Sequence, residues 1–153
     1  MTSLERICTA LRDAGVRYAI VGGHAVALHG AVRGTIDIDL VLRWTRRTLL
    51  DAEAALNGIG LVSRLPLGAE DVFRFRAEYI ENRNLIAWNF HDPDDPLEQV
   101  DVVINYDLAG RRTKRFELPS GPIEVLSLPD LIAMKRDSGR PQDLEDVRAL
   151  GRL

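Results

Sequence analysis

Two aspartates one residue apart, Asp37 and Asp39, sit in the run Ile36-Asp37-Ile38-Asp39-Leu40-Val41-Leu42. A strand alternates its faces with period 2, so both carboxylates project the same way, roughly 6.6 Å apart along the chain. The aliphatic residues between and after them would bury that strand. Two like charges on a buried strand repel and lose hydration unless something positive sits between them. A divalent cation is the natural counter-charge, and an oxygen-only ligand set suits Mg²⁺. The bland alternative is a pair of acids decorating an exposed strand. It fits less well, because an exposed face would keep alternating beyond Asp39, and Leu40-Val41-Leu42 does not.

A chain of 153 residues is one domain by length, spanning 1–153, and long enough to bury most of its unfolded surface. The net charge of −3 argues against a strongly cationic nucleic-acid sleeve, yet leaves room for a local basic patch. Cys8 is the single cysteine, which excludes an internal disulfide and fits a reducing compartment. No apolar run reaches the roughly 18 residues of a membrane span, and the first residues lack a signal-peptide core. A soluble cytoplasmic protein is expected, with no membrane partner.

Hydrophobic periodicity and caps order the elements. Thr2 or Ser3 can cap a first helix carrying Leu4, Ile7, Cys8 and Leu11 on one face, with Gly15 just past its end. A strand over 18–21, a helix over 23–30 and a strand over 36–42 follow, then a helix from Thr45 to Asn57. The middle reads as strands over Leu61–Leu65, Val72–Arg76, Asn84–Phe90 and Val100–Ile104, with the acidic, proline-rich His91–Pro96 as a solvated turn between the last two. Pro122–Leu126 is a short final strand. Ser127 caps a helix to about Asp137, and Pro141 opens a last helix with Leu144, Val147 and Leu150 on one side. This order predicts an α+β fold, a mixed β-sheet flanked by helices.

Gly22-Gly23, between the strand over 18–21 and the next helix, would let backbone N–H groups approach phosphates at a helix start. Taken alone, the pair is better explained by a tight strand-to-helix turn. No Gly-Lys-Ser/Thr follows and no Gly-x-Gly-x-x-Gly is present, so neither a Walker loop nor a dinucleotide site fits. His24 and His29 point about 140° apart on helical geometry and form no metal pair, although His24 could reach a nucleotide from the first turn. Arg33 could serve a phosphate as a planar fork donor, or pair with Asp37 or Asp39. Lys135, among Leu131, Ile132 and Met134, could reach a phosphate or lie as a snorkelling surface lysine. Arg111-Arg112-Thr113-Lys114-Arg115 and the cluster Arg43, Arg46, Arg47 are the dense basic runs. They read as solvated loops, or as phosphate contacts if they flank the site.

Together these blocks resemble the polymerase-β-like nucleotidyltransferase superfamily: a strand, a Gly-Gly helix start, and an acidic pair on the next strand. The form Arg33-x-Thr35-x-Asp37-x-Asp39 is similar to small bacterial members, as is Asp130-Leu131-Ile132-Ala133-Met134-Lys135 followed by Arg140-x-x-Asp143-Leu144-x-Asp146. Those members include abortive-infection toxins and short antibiotic-modifying enzymes. The resemblance implies the corresponding fold, with the active site at one edge of the sheet, and Mg²⁺-dependent transfer of a nucleoside monophosphate from an NTP to an acceptor hydroxyl. It implies a third carboxylate from a neighbouring strand, for which Asp101 is the best candidate and Glu98 and Asp107 weaker ones. It further implies a nucleotide site drawn from Gly22, Gly23, His24, Arg33, Thr35 and Lys135. Asp101 is expected as the general base, because it would face the acceptor. Expected acceptors are tRNA or a protein, in a toxin paired with an antitoxin. An antibiotic is the nearest rival, and a non-catalytic nucleotide- or partner-binding module the reading from another class. Arg140, Asp143 and Asp146 are expected to tie the last two helices together, or one of them to orient Lys135.

Overall fold

The computed structural model describes residues 1–31 and 37–153. The expected sites at Arg33 and Thr35, and residue 36 of the acidic strand, lie outside that set.

Among the described residues, seven strands form one mixed sheet. They are β1 (Tyr18–Val21), β2 (Asp39–Leu42), β3 (Val62–Ser63), β4 (Ala87–Asp92), β5 (Asp95–Val103), β6 (Thr113–Leu118) and β7 (Gly121–Leu126). Their order across the sheet is β3-β4-β5-β2-β1-β7-β6, with β2/β5 and β1/β7 parallel and the other neighbours antiparallel. The helices are α1 (Ser3–Asp13), α2 (Gly22–Leu28), α3 (Arg46–Gly58), α4 (Ala69–Arg74), α5 (Arg76–Arg83), α6 (Leu128–Ser138) and α7 (Pro141–Leu150). The α+β expectation therefore stands. No helix among the described residues is long and apolar enough to cross a membrane.

Local chemistry explains most boundaries. Thr2 Oγ1 accepts from Glu5 N–H, and the Glu5 carboxylate accepts in return from Thr2 N–H, which caps α1 reciprocally. Thr45 Oγ1 accepts from Thr48 N–H at the start of α3. Ser127 caps α6, and Gly139, at φ +67°, ends it in the left-handed conformation that glycine adopts freely. Ile7, Leu11, Ile20, Leu40, Leu42, Leu56, Trp88, Phe90 and Ile104 are among the fully buried core side chains. The Trp88 and Phe90 rings pack at a tilt of 55° with centroids 4.5 Å apart.

Three expectations are corrected. Val72–Arg76 is helical, split between α4 and α5, because the Asp71 carboxylate accepts from Gly68 N–H and starts a helix there. Within Val-Phe-Arg-Phe-Arg, apolar and basic residues alternate only over the four residues Phe73–Arg76, too few to outweigh that cap. The basic run is a loop only at Arg111 and Arg112: from Thr113 onward it is the edge strand β6, Thr113–Leu118, paired along its length with β7. Finally, the acids do not stand at an edge of the sheet. They lie on β2 and β5, the fourth and third strands of the seven.

Candidate active site

Asp39 opens β2 and pairs in register with Val21 on one side and Asp101 of β5 on the other. In-register partners on neighbouring strands project from the same face about 5 Å apart, so the fold brings the Asp39 and Asp101 carboxylates together. Asp37 precedes the strand, and all three acids line one cavity of about 460 Å³. Gly22 and Gly23 of α2 form another part of its wall, and Lys135 of α6, Asp143 of α7 and Arg140 just before α7 close it. Ile86, Val103, Leu131 and Met134 add an apolar side.

The Gly-Gly element has a steric reason. Gly22 sits at φ +69°, and a Cβ there would overlap the Asp39 carboxylate, with Asp39 Cβ and Cγ each only 3.1 Å away. Both the turn and the close approach require glycine. Gly22→Ala is expected to destabilise the protein by about 2 kcal/mol or more, summing left-handed strain with displacement of Asp39. Urea unfolding checks this, and an unchanged midpoint would remove the argument for Gly22.

Electrostatics mark Asp39 among the three acids. Burial, then the neighbouring Asp101 and Asp37 charges, pushes its carboxyl up to about 6, against the smaller opposing pull of Lys135 and Arg140. Asp101 is held from the side: Asn89 Nδ2 donates to its Oδ1 at 2.8 Å, and Arg64 Nε donates to Asn89 Oδ1 at 2.9 Å. The arginine fixes which end of the amide faces the acid. Sequence reading missed Asn89. The only signal would have been the β4/β5 register, which places it opposite Asp101.

The weaker candidates for a third acid are engaged elsewhere. Glu98 accepts from Ser3 and Arg6 of α1. Asp107 Oδ1 accepts from the N–H groups of Trp44 and Ala109. Burial alone would raise the Asp107 carboxyl, but those two donors, with Arg76 and Arg43, hold it below the usual range.

Lys135 is buried, 6% exposed, and is no snorkelling lysine. Its Nζ lies 2.9 Å from Asp146 Oδ2 and 3.6 Å from Asp143 Oδ1, while Arg140 Nε donates to Asp143 Oδ2 at 2.7 Å. The C-terminal acids thus both tie α6 to α7 and hold Lys135 at the cavity wall. Removing one partner of a buried ion pair strands the other charge, so Asp146→Ala is expected to cost about 3 kcal/mol of stability. A denaturant midpoint equal to wild type would show that the ammonium finds water instead.

The histidines separate. His29 Nε2 lies 2.8 Å from the Leu126 carbonyl oxygen and its ring packs edge-on to Phe116, a structural role. His24 is not among the residues lining the cavity. Burial lowers its imidazole pKa, opposed by Asp37, and its Nε2 is buried with no hydrogen-bond partner among the described residues. The basic runs do not line the cavity either. Arg111 stacks over Tyr106, Lys114 over Phe116, Arg115 pairs with Glu124, Arg46 with Glu70 and Arg47 with Asp51.

Among the described residues, no three His, Cys, Asp or Glu side chains are drawn into a ready-made metal cage. The donor set nevertheless fits a hard cation: three carboxylates line one cavity, and Asp39 is raised first by burial and then by repulsion from Asp101 and Asp37, which a divalent ion would relieve.

No family model matches the sequence, and no curated protein matches it. Solved structures do. The lincomycin-bound lincosamide antibiotic adenylyltransferase LnuA is similar at TM-score 0.59 and 14% identity, over 97% of this chain and 94% of that one. The antibiotic-resistance factor ANT(2″)-Ia is similar at TM-score 0.56 and 19% identity, over 97% and 80%. An antigenic nucleotidyltransferase-like protein from Paracoccidioides brasiliensis is similar at TM-score 0.59 and 17% identity, over 95% and 72%. The chain has the polymerase-β-like nucleotidyltransferase fold.

Proposed function

We propose that this protein is a Mg²⁺-dependent nucleotidyltransferase moving a nucleoside monophosphate from an NTP to an acceptor hydroxyl. The observation that carries the reading is the Asp39–Asp101 register pair, joined by Asp37 on one cavity wall facing the Gly22-Gly23 turn. The three aspartates would hold the metal. When bound, it supplies Lewis-acid activation of the acceptor hydroxyl and neutralises charge on the phosphates.

The chain's own residues supply the rest. Gly22 and Gly23 offer backbone N–H groups to the phosphates without side-chain obstruction. Lys135, ion-paired with Asp143 and Asp146, and Arg140 bring positive charge to the same cavity. Asp101, with Oδ1 fixed by Asn89, takes the proton from the acceptor hydroxyl as its oxygen bonds to the α-phosphorus and pyrophosphate leaves. The apolar wall of Ile86, Val103, Leu131 and Met134 suits a base or an acceptor ring.

A small hydroxyl-bearing acceptor has more support than tRNA or protein. The basic runs that would grip a polyanion lie outside the cavity wall, and several members are ion-paired or stacked. By name, one of the similar folds is a lincosamide antibiotic adenylyltransferase and another an antibiotic-resistance factor. The test is incubation with Mg²⁺ and each NTP labelled at the α- or γ-phosphate, against panels of hydroxylated antibiotics, total tRNA and lysate protein. The reading expects α-label, and no γ-label, on a small acceptor. Label on tRNA or protein would restore the toxin reading with its antitoxin partner. No transfer to any acceptor would leave the non-catalytic module.

A further inference from the structure

A second concavity lies at the opposite end of β1, where Tyr18 starts the strand that Gly22 follows. It holds about 180 Å³ and shares no lining residue with the aspartate cavity. Three arginines from separate segments converge on it: Arg12 of α1, Arg17 of the turn before β1, and Arg115 of β6. Glu124 is the one carboxylate in its lining.

That glutamate does not neutralise the group. Its Oε1 accepts from Arg115 Nε at 3.0 Å and its Oε2 from Thr113 Oγ1 at 2.9 Å, so it is spent on one arginine. Arg12 donates only to neutral carbonyls, Pro122 O at 2.9 Å and Ser120 O at 3.4 Å. Its guanidinium packs onto Gly121, where a Cβ would meet Nη1 at 2.6 Å. The backbone therefore fixes this guanidinium in place while leaving its charge uncompensated. Arg17 makes no side-chain hydrogen bond or ion pair among the described residues. A concavity with three guanidinium groups and one carboxylate carries a net +2 on a chain whose net charge is −3.

We propose that this concavity is a phosphate-binding site, distinct from the nucleotidyl-transfer site and independent of it. The volume sits below the roughly 300 Å³ at which small-molecule sites begin, so it suits a phosphate group rather than a whole nucleotide. Planar guanidinium forks match the oxygen spacing of a phosphate and are its preferred donors. Arg12 is pre-organised on the β6–β7 turn, so little side-chain freedom is lost on binding. The site also gives a role to Arg115, a member of the basic run that the aspartate cavity leaves unused. The phosphate could come from inorganic phosphate, a phosphomonoester or a polynucleotide backbone, which share this chemistry.

The experiment is a titration of the full-length chain with sodium phosphate at constant ionic strength set by chloride, followed by thermal unfolding. A parallel titration uses a short single-stranded RNA. Wild type is compared with Arg17→Gln and with Arg17→Gln/Arg115→Gln, exposed positions whose loss leaves the core intact. Phosphate is expected to raise the melting temperature of wild type, with apparent affinity at least tenfold weaker in the double variant. The Mg²⁺–NTP shift should be equal in all three proteins. RNA binding lost in the same variant would assign the phosphate to a polynucleotide backbone, and phosphate binding without RNA binding would assign it to a small phosphate; either supports the site. No shift with phosphate beyond the chloride control, or an equal shift in wild type and double variant, overturns it.

Discussion

Asp39→Asn is expected to lower nucleotidyl transfer by on the order of a thousandfold or more while making the metal-free protein more stable. The two effects share a cause. In the folded chain the Asp39 carboxyl is pushed up to about 6 by burial and by Asp101 and Asp37, above the 3.8 of an unburied aspartate. A raised carboxyl favours the folded state when protonated. Its contribution is fully present below pH 3.8 and is lost as pH rises through about 6. Above that the charged carboxylate opposes folding, by an amount on the order of 2 kcal/mol. The amide removes the penalty, so the variant should unfold at higher temperature than wild type at pH 8 and nearly match it at pH 4. Added Mg²⁺ should stabilise wild type and leave the variant unchanged. A variant less stable than wild type at pH 8 would mean that Asp39 is held by partners that need its charge.

The second large effect concerns Asp101. Asp101→Asn should leave nucleotide affinity within a small factor of wild type and lower kcat by about 10²–10⁴-fold, because a proton acceptor acts at the transition state more than in the ground state. Asn89→Ala should fall between, with turnover reduced and no change in fold, since it frees the Asp101 carboxylate from the donor that orients it. Steady-state kinetics on both variants separate the roles. A loss of nucleotide affinity in Asp101→Asn as large as the loss of turnover would make Asp101 a ligand and nothing more.

Much of this architecture is legible in the sequence where a local rule and the global fold agree. Thr2 with Glu5, Thr45 with Thr48, Ser127 and Pro141 each mark a helix start by short-range hydrogen bonding or fixed φ, and each stands where the spacing places it. Failures come where two local signals compete. Val72–Arg76 carries both a strand-like alternation and the Asp71 cap, and the cap prevails. The basic run Arg111–Arg115 reads as a solvated loop, yet Thr113, Lys114 and Arg115 belong to β6, where basic side chains are tolerated because the strand is an edge. Asp39 and Asp101 share a cavity because β2 and β5 are parallel neighbours, and sequence suggests that pairing only through resemblance. The support of Asp101 by Asn89, and the close fit of Gly22 against Asp39, depend on register and on a contact across the sheet, which local sequence does not encode.

Asp37, Asp39 and Asp101 are proposed to form a metal-dependent nucleotide site. Calorimetric titration of a non-hydrolysable NTP analogue into wild type and Asp39→Asn, each with Mg²⁺ and with EDTA, tests it most directly. Wild type is expected to bind saturably in Mg²⁺ and at least tenfold more weakly in EDTA, and Asp39→Asn to bind weakly under both conditions. Equal affinity in Mg²⁺ and EDTA, or wild-type affinity in Asp39→Asn, would contradict it.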